Sequence, residues 1–253
     1  MAYAFAQRWE KAGHRVVYHR GLAPPPPGDV AIAHCDLTIV PESYRELERR
    51  YPRVVNGAAW DVSKSRVSNC IVGRGDPWQE QVIIKTEANH GGHVEDALRR
   101  LAREAGLASD FAALPVMDDY YLCESLARVP EAIWGTPGVV VEKFVPERDE
   151  RGYYTRVWTF FGERDRSSRY RSDMPLIKAE NYLDREEVAV PGELREMRSR
   201  LGFDFGKFDY TMRDGRCWLF DANRTPTSPE HFISRPGVSE SFDNLARGIE
   251  SFL

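Results

Sequence analysis

The sequence predicts a mixed α and β protein with antiparallel sheet in its second half. Short apolar runs alternate with charged helical segments over the first part of the chain. Long segments with the alternation typical of strands follow from residue 153 onward, and the turn at residues 213–215 joins two of them. Asp214-Gly215 between two such segments is a strong hairpin signal.

Length and composition exclude several classes of protein. The chain has 253 residues and a net charge of −4, with 42% hydrophobic and 29% charged residues, which excludes disorder, collagen and coiled coil. No apolar run approaches the ~20 residues of a membrane span, and the N-terminus lacks a signal-peptide pattern. The four cysteines are widely spaced, as expected for buried thiols in a reducing compartment. We therefore expect a cytoplasmic protein with neither a membrane nor a nucleic-acid partner.

The first elements have the pattern of a small βα layer. Residues 4–12 are predicted to be a helix and residues 15–18 a strand, followed by an extended segment of four prolines at 24–27. After it come apolar runs at 30–33 and 37–40, a helix at 41–50 and a strand at 53–55.

The remaining elements are a middle section and a β-rich second half. For the middle section we predict a helix at 59–72, a strand at 81–85, a glycine loop at 89–92, a helix at 94–105 and a strand at 139–144. For the second half we predict strands at 153–161, 169–177, 207–213 and 216–221, and helices at 191–201 and 239–252.

Three oxygen-bearing side chains lie on the predicted hairpin. The hairpin can bring Asp209 beside Asp221, and Asn223 leaves the same strand face because it lies two residues after Asp221. Such oxygen ligands suit Mg²⁺. Asp and Asn also commonly end strands and begin turns, which is the alternative explanation. Both carboxylates follow a phenylalanine, however, and a carboxylate buried there needs a cation or donors nearby.

A second candidate is the lysine that ends the strand at 81–85. Lys85, with the backbone N–H groups of Gly91 and Gly92, could surround a phosphate chain, although the pattern is not a Walker motif. The loop alone is weak support for such a site. His90 and His93 flank the glycines, and we favour solvated loop histidines over a metal site.

Other charged residues leave alternatives open. The strand that ends near Glu142 could read an adenine edge and Glu147 could accept ribose hydroxyls, but the sequence alone favours an edge strand with solvated charges. Arg156 lies among aromatic residues and would need an anionic partner, to which Lys178 and Asn181 could add. Lys64 fits an exposed helix surface, and the arginine-rich segment 163–171 fits either an acidic substrate or a solvated hairpin.

Taken in order, these segments resemble the ATP-grasp superfamily, in particular carboxylate–amine ligases of the glutathione synthetase and ribosomal-modification types. The match runs from about residue 54 to residue 226. Its pieces are Asn56-Gly57 with Lys64, the strand ending at Lys85, Gly91-Gly92, Glu142-Lys143-Phe144-Val145-Pro146-Glu147, Arg156 to Gly162, Gly202 to Asp209, and Phe220 to Pro226.

The resemblance implies a fold of two α+β subdomains that clasp a nucleotide. These would be residues 58–144, with the loop that covers the phosphates, and residues 145–253, with the metal site. A short, reduced βα layer at residues 1–57 would precede them. The family usually begins with a fuller substrate-binding domain, so either this layer is reduced or the true start lies upstream.

The resemblance also implies roles for individual residues. Lys64 and Lys85 would touch the phosphates of ATP, with Gly91 and Gly92 covering them. Glu142, Lys143, Phe144 and Val145 would read adenine, and Glu147 would bind the ribose. Asp209, Asp221 and Asn223 would hold Mg²⁺ or Mn²⁺, with Asp221 in place of the usual Glu. Arg156 and Lys178, with Asn181 nearby, would bind the transferring phosphate, and Arg224 would stabilise an oxyanion or hold a substrate carboxylate.

The activity implied is that of an ADP-forming ligase. ATP would phosphorylate a carboxylate, and an amine would attack the acyl phosphate to form an amide or peptide bond. The substrates would be small-molecule or peptide carboxylates and amines. A kinase on the same fold and a nucleotide-binding module without turnover are the alternatives. The final helix could supply a homodimer interface.

Overall fold

The computed structural model describes residues 1–228 and 237–253. The helices are α1 (Ala2–Lys11), α2 (Glu42–Glu48), α3 (Lys64–Val67), α4 (His93–Glu104), α5 (Gly192–Leu201) and α6 (Val238–Ala246). Among the strands, β1 is Val30–Ile32, β2 Arg53–Val55, β3 Val82–Thr86, β4 Tyr121–Cys123, β5 Val139–Lys143 and β6 Glu147–Asp149. The others are β7 (Gly152–Phe161), β8 (Arg164–Ser172), β9 (Asp184–Glu187), β10 (Phe205–Arg213) and β11 (Arg216–Asn223).

The N-terminal layer is built on two short parallel strands. β1 pairs with β2, and α2 lies between them in sequence. The apolar face of α1 packs Phe5 and Trp9 against Phe161 and Phe205 of the large sheet and against Phe242 of α6. This shared core fixes the layer against one end of the large sheet.

The small sheet has the order β4-β3-β5, with antiparallel pairing throughout. Side chains of β3 alternate, so Val82 and Ile84 join the apolar core on one face. Lys85 leaves the other face, which it shares with Glu142 because Glu142 pairs with Ile83. The sheet thus presents one buried ion pair on a face otherwise made of apolar side chains.

The large sheet has the order β11-β10-β7-β8-β9, and β6 pairs with the start of β7. Helix α5 covers one face, where Leu194 and Met197 pack with Trp158, Phe208 and Tyr210. Because strand side chains alternate, the residues between these aromatics point to the opposite face. That face carries Lys207 and Asp209.

The β10–β11 hairpin forms as expected from its turn. Asp214 and Gly215 both have left-handed backbone conformations, with φ of 53° and 74°, as a two-residue hairpin turn requires. The register pairs Asp209 with Asp221 and Lys207 with Asn223, and a bulge follows Asp209. The turn and register therefore place these four side chains on one face.

Two predicted elements of the first half are wrong. Residues 15–18 are neither helix nor strand, and Val17 and Tyr18 are exposed. The predicted helix at 59–72 is reduced to α3, and the segment after it is extended. The N–H of Asn69 donates to the carbonyl of Leu219 (3.0 Å), and the N–H of Val72 donates to that of Val141 (2.9 Å). The extended segment satisfies backbone groups of both sheets, which a helix could not do.

The predicted strand at 169–177 is displaced, because β8 occupies Arg164–Ser172 and pairs residue by residue with β7. Its arginines meet acidic residues of β9, which the sequence analysis missed: Arg169 bonds Glu186 and Arg171 bonds Asp184. This pairing favours a structural role for the arginine-rich segment.

All four cysteines are free thiols. Across the described residues, no helix has the length and apolarity that crossing a membrane requires.

Candidate functional site

Three lysines and three carboxylates line the space between the two sheets, and we call this set the lysine–carboxylate face. Its members are Lys64, Lys85, Lys207, Glu142, Asp209 and Asp221. They form three ion pairs: Lys85–Glu142 at 2.6 Å, Lys207–Asp209 at 2.8 Å and Lys64–Asp221 at 3.3 Å. The face therefore joins residues of the small sheet, α3 and the large sheet, and its formal charges balance.

The Lys85–Glu142 pair is the most shielded of the three, since Lys85 is 5% and Glu142 0% exposed. Burial by itself would lower the pKa of Lys85, but the carboxylate of Glu142 outweighs this and raises it. The rings of Phe220 and Tyr120 lie 5.1 and 5.4 Å from the ammonium. Glu142 Oε1 is buried without a hydrogen-bond partner among the described residues, so it retains the capacity to accept a bond.

The two aspartates of the hairpin have opposite pKa shifts. For Asp209, burial raises the pKa, Lys207 opposes this, and the charge of Asp221 adds to it. For Asp221, burial also acts to raise the pKa, but the nearby lysines outweigh it and the pKa lies below its usual value. The surrounding lysines thus favour the ionised form of Asp221.

The three predicted metal ligands lie on one sheet face. The amide oxygen of Asn223 accepts a bond from the N–H of Thr225 (2.7 Å), which fixes the side chain beside Asp221. Asp221 Oδ1 is buried without a hydrogen bond in the described chain, although Lys64 lies 3.3 Å away. Two carboxylates and an amide oxygen are the hard donors that Mg²⁺ uses, so this donor set fits such an ion.

Lysines hold these carboxylates in the present arrangement. Within residues 1–228 and 237–253, no three Asp, Glu, His or Cys side chains converge as metal ligands. Asp209 turns toward Lys207 and Asp221 toward Lys64. Holding a divalent ion would therefore require the ammonium groups to move.

The glycine loop is a short 3₁₀ segment (Asn89–Gly92) packed under residues 115–117. The N–H of Met117 donates to the carbonyl of Gly91 (2.9 Å). A Cβ on Gly91 would lie 2.5 Å from the carbonyl oxygen of Met117, and one on Gly92 would lie 2.8 Å from that of Pro115. Both glycines also have positive φ, so this close approach is a structural reason for their presence.

His90 links the glycine loop to the other parts of the site. Its Nε2 lies 3.5 Å from Asp36 Oδ1 and 3.4 Å from Asn223 Nδ2, and Asp36 accepts a bond from Thr225 Oγ1 (2.6 Å). The hydrogen bond to Asp36 raises the pKa of His90. These contacts join distant segments and form no local pattern, so the sequence does not indicate Asp36 and predicts only a solvated histidine at position 90. Lys207 was also overlooked, although its position two residues before Asp209 was a readable signal.

The strand predicted to read adenine already uses several of its backbone groups. The N–H groups of Lys143 and Phe144 donate to the carbonyls of Cys70 (2.8 Å) and Gln81 (3.0 Å). The carbonyl of Val145 accepts a bond from Thr211 Oγ1 (2.8 Å). Adenine recognition by this strand stays a prediction.

Arg156 and Glu147 lie away from the lysine–carboxylate face. They form a two-bond ion pair, both bonds at 2.8 Å, and Arg169 adds a third bond to Glu147. Arg156 neighbours Val157, the partner of Asp209, so it points to the opposite side of the sheet. The structure therefore does not bring this pair to the predicted metal ligands, and its phosphate and ribose roles stay predictions.

The remaining predicted site residues, Lys178, Asn181 and Arg224, lie in three different environments. Lys178 is exposed, and Asn181 bonds backbone groups of its own loop, at Lys178 and Leu176. Arg224 is 1% exposed and donates from Nη2 to the carbonyl of Ala33 (3.1 Å). Its Nε and Nη1 have no hydrogen-bond partner in the described chain, and burial lowers its pKa. The carbonyl of Ala33 thus turns the guanidinium toward the N-terminal layer.

Comparison with solved structures identifies the fold. A RimK domain ATP-grasp protein from Sphaerobacter thermophilus DSM 20745 is similar over 98% of this chain and 94% of its own, with a TM-score of 0.52 and 13% identity. The chain has the ATP-grasp fold. This confirms the predicted fold class at the level of architecture. The chain matches no protein-family model, and no curated protein matches it in sequence.

Two further solved structures are similar at lower scores. D-Alanine–D-alanine ligase from Bacillus anthracis has a TM-score of 0.45 and 13% identity over 98% of this chain and 83% of its own. Macrocyclase MdnC from Microcystis aeruginosa MRC, solved with precursor peptide MdnA, has a TM-score of 0.36 and 11% identity over 66% of this chain. This chain spans 46% of the macrocyclase.

Proposed function

We propose that this protein is an ATP-dependent, ADP-forming ligase that joins a carboxylate to an amine. The observation that carries the proposal is the lysine–carboxylate face on an ATP-grasp fold. Its three ammonium groups are suited to a phosphate chain, and its oxygen donors are suited to a divalent ion. Buried acceptors at Glu142 and Asp221 that lack hydrogen bonds within the described chain support a ligand at this place.

The proposal keeps the predicted division of the chain. All strands of the small sheet lie within residues 58–144, and all strands of the large sheet lie within residues 145–253. The lysine–carboxylate face lies where the two segments meet. A nucleotide clasped there would contact Lys64 and Lys85 from one side and the hairpin from the other.

The reaction proposed has two balanced steps. An oxygen of the acid attacks the γ-phosphorus of ATP, the bond from that phosphorus to the β–γ bridging oxygen breaks, and ADP leaves. The amine nitrogen then attacks the acyl carbon, loses a proton to solvent, and displaces inorganic phosphate. Lys64, Lys85 and Lys207 would neutralise charge on the phosphates, since phosphoryl transfer depends mainly on positioning and charge stabilisation.

The metal ligands proposed are Asp209, Asp221 and Asn223. A bound Mg²⁺ or Mn²⁺ would supply charge neutralisation at the phosphate oxygens. The surrounding lysines lower the pKa of Asp221 and so favour the ionised form, which is the form that binds a metal ion. The remaining ligands of the ion would be water and phosphate oxygens.

Two measurements in sequence test the proposal. Thermal unfolding with and without millimolar ATP and Mg²⁺ comes first; a ligand at 100 times its dissociation constant stabilises the native state by ~2.7 kcal/mol. We expect the largest shift with both present. ADP release is then followed with panels of acids and amines, including peptides. Release that needs both an acid and an amine is the expected result.

Two outcomes would contradict the proposal. A stable phosphorylated product formed without any amine would indicate a kinase on the same fold. An unchanged midpoint in a protein that melts cooperatively would contradict nucleotide binding itself.

A further inference from the structure

We infer that the ammonium of Lys207 takes the place beside Asp209 that a divalent ion would otherwise occupy, so that metal binding depends on nucleotide. The inference deepens the proposed function and rests on it. It concerns the order in which the nucleotide and the ion can bind, and it assigns Lys207 a role in controlling metal binding that neither the motifs nor the solved structures indicate.

The register of the hairpin brings Lys207 to the metal ligands. Lys207 pairs with Asn223 directly beside the Asp209–Asp221 pair, so all four side chains leave the same face. The ammonium lies 2.8 Å from Asp209 Oδ2. The Lys207 side chain is 33% exposed and that of Asp209 is 17% exposed, so solvent screens their contact only in part.

Lys207 differs from the other two lysines in its partners. Lys64 is also held by the carbonyl of Ala88 (2.9 Å). Lys85 is held by Glu142 and also lies over the rings of Phe220 and Tyr120. Asp209 is the group that the ammonium of Lys207 pairs with in the described part of the chain. Of the three, it is therefore the lysine whose displacement breaks the fewest contacts.

The charge balance explains why the ion would need the nucleotide. With three ammonium groups beside three carboxylates, an incoming divalent ion meets no net negative charge and is repelled by Lys207 at close range. A phosphate chain carries several negative charges and attracts the ammonium groups. Once Lys207 turns to a phosphate oxygen, Asp209 is free for the ion, and the ion and nucleotide stabilise each other.

The test measures Mn²⁺ binding to the nucleotide-free protein at pH 8, from the electron paramagnetic resonance signal of free Mn²⁺. The variants are Lys207→Met, which removes the ammonium, and Lys207→Arg, which keeps a positive charge. Lys11→Met is the matched control, because Lys11 is exposed at the end of α1. We expect Lys207→Met to bind Mn²⁺ at least about tenfold more tightly than wild type, and the other two to bind as wild type does.

Equal Mn²⁺ affinity in Lys207→Met and wild type would overturn the inference, as would equal tightening in Lys11→Met. Circular dichroism and cooperative melting establish that each variant is folded, and Lys207→Gln replaces Lys207→Met if the latter does not fold. In wild type, adding a non-hydrolysable ATP analogue should tighten Mn²⁺ binding, and in Lys207→Met this gain should shrink. Failure of the proposed function gives a different result, namely no nucleotide-dependent thermal shift in wild type.

Discussion

The ammonium of Lys85 lies 2.6 Å from Oε2 of Glu142, and neither side chain has appreciable contact with solvent. Glu142 Oε1 remains without a hydrogen bond among the described residues. Hydrophobic residues of similar volume would often stabilise such a position as well as a buried ion pair does. The pair is therefore better explained by a ligand that takes up the unused bonding capacity than by stability alone.

Replacing Glu142 by Gln should destabilise the protein strongly, because it leaves Lys85 charged and buried without a carboxylate partner. We expect a loss of about 3 kcal/mol in the free energy of unfolding, measured by urea denaturation. Glu131→Gln is the control: it breaks the exposed Arg74–Glu131 pair, for which we expect a change of at most about 1 kcal/mol. Equal losses in the two variants would show that burial of the Lys85–Glu142 pair has no energetic weight.

Asp221→Asn should abolish ADP formation and the Mg²⁺-dependent part of the thermal shift. The variant removes the carboxylate that the lysines keep ionised, while the side chain keeps its size. Asp214→Asn is a matched change on the same hairpin, since Asp214 is exposed at the turn and Asn tolerates its left-handed backbone. Turnover by a folded Asp221→Asn protein at the wild-type rate would contradict the metal assignment.

His90 should titrate above its usual pKa because Asp36 stabilises the imidazolium. A pKa that is raised in the folded state adds stability that is fully present below the unfolded value of 6.5 and is lost as the pH rises through the folded value. The wild-type protein should therefore be more stable than His90→Gln, and this difference in the free energy of unfolding should be largest below pH 6.5 and decrease above it. Urea denaturation at several pH values measures the difference.

The histidine resonances give an independent measure of the same contact. Asp36→Asn should bring the pKa of His90 down toward 6.5 in an NMR titration, with the resonance assigned by its loss in His90→Gln. An unchanged titration in Asp36→Asn would show that the two groups are not coupled in solution. Because both side chains are partly exposed, added salt should also weaken the effect.

The sequence predicted those parts of the site that follow from local periodicity. Asp209, Asp221 and Asn223 share a face because strand side chains alternate and the turn at Asp214 fixes the register. The position of Lys207 on this face follows from the same alternation, but no motif marks the residue as part of the site. The RimK domain structure confirms the fold that the ordered motifs indicated.

Other features depend on contacts between distant segments and leave no local pattern. The segment after α3 is extended because its backbone donates hydrogen bonds to Leu219 and Val141, which lie in two different sheets. The local sequence does not encode these contacts and predicts a helix there. The pairing of Arg156 with Glu147 depends on β6 folding back on β7. The position of Arg224 depends on the N-terminal layer, whose carbonyl at Ala33 it reaches.

Arg224→Met should make the ligand-free protein more stable while abolishing ligation. The guanidinium is buried, forms one hydrogen bond, and leaves Nε and Nη1 without partners in the described chain. Among the described residues no carboxylate forms an ion pair with this cation, and Glu48 attracts it only at longer range. An apolar side chain of similar length should therefore raise the free energy of unfolding by about 1–2 kcal/mol. Urea denaturation measures this gain, and ADP release with a working acid and amine measures the loss of turnover.

Arg100→Met is the control for removing a positive charge, because Arg100 is exposed on α4 and should change stability by no more than about 0.5 kcal/mol. A gain in stability confined to Arg224→Met, together with lost turnover, would mean that the buried arginine is kept for binding and not for folding. Destabilisation by Arg224→Met would instead mean that the native protein already supplies a counter-charge. Arg224 would then belong to the contact between the N-terminal layer and β11, and not to substrate binding.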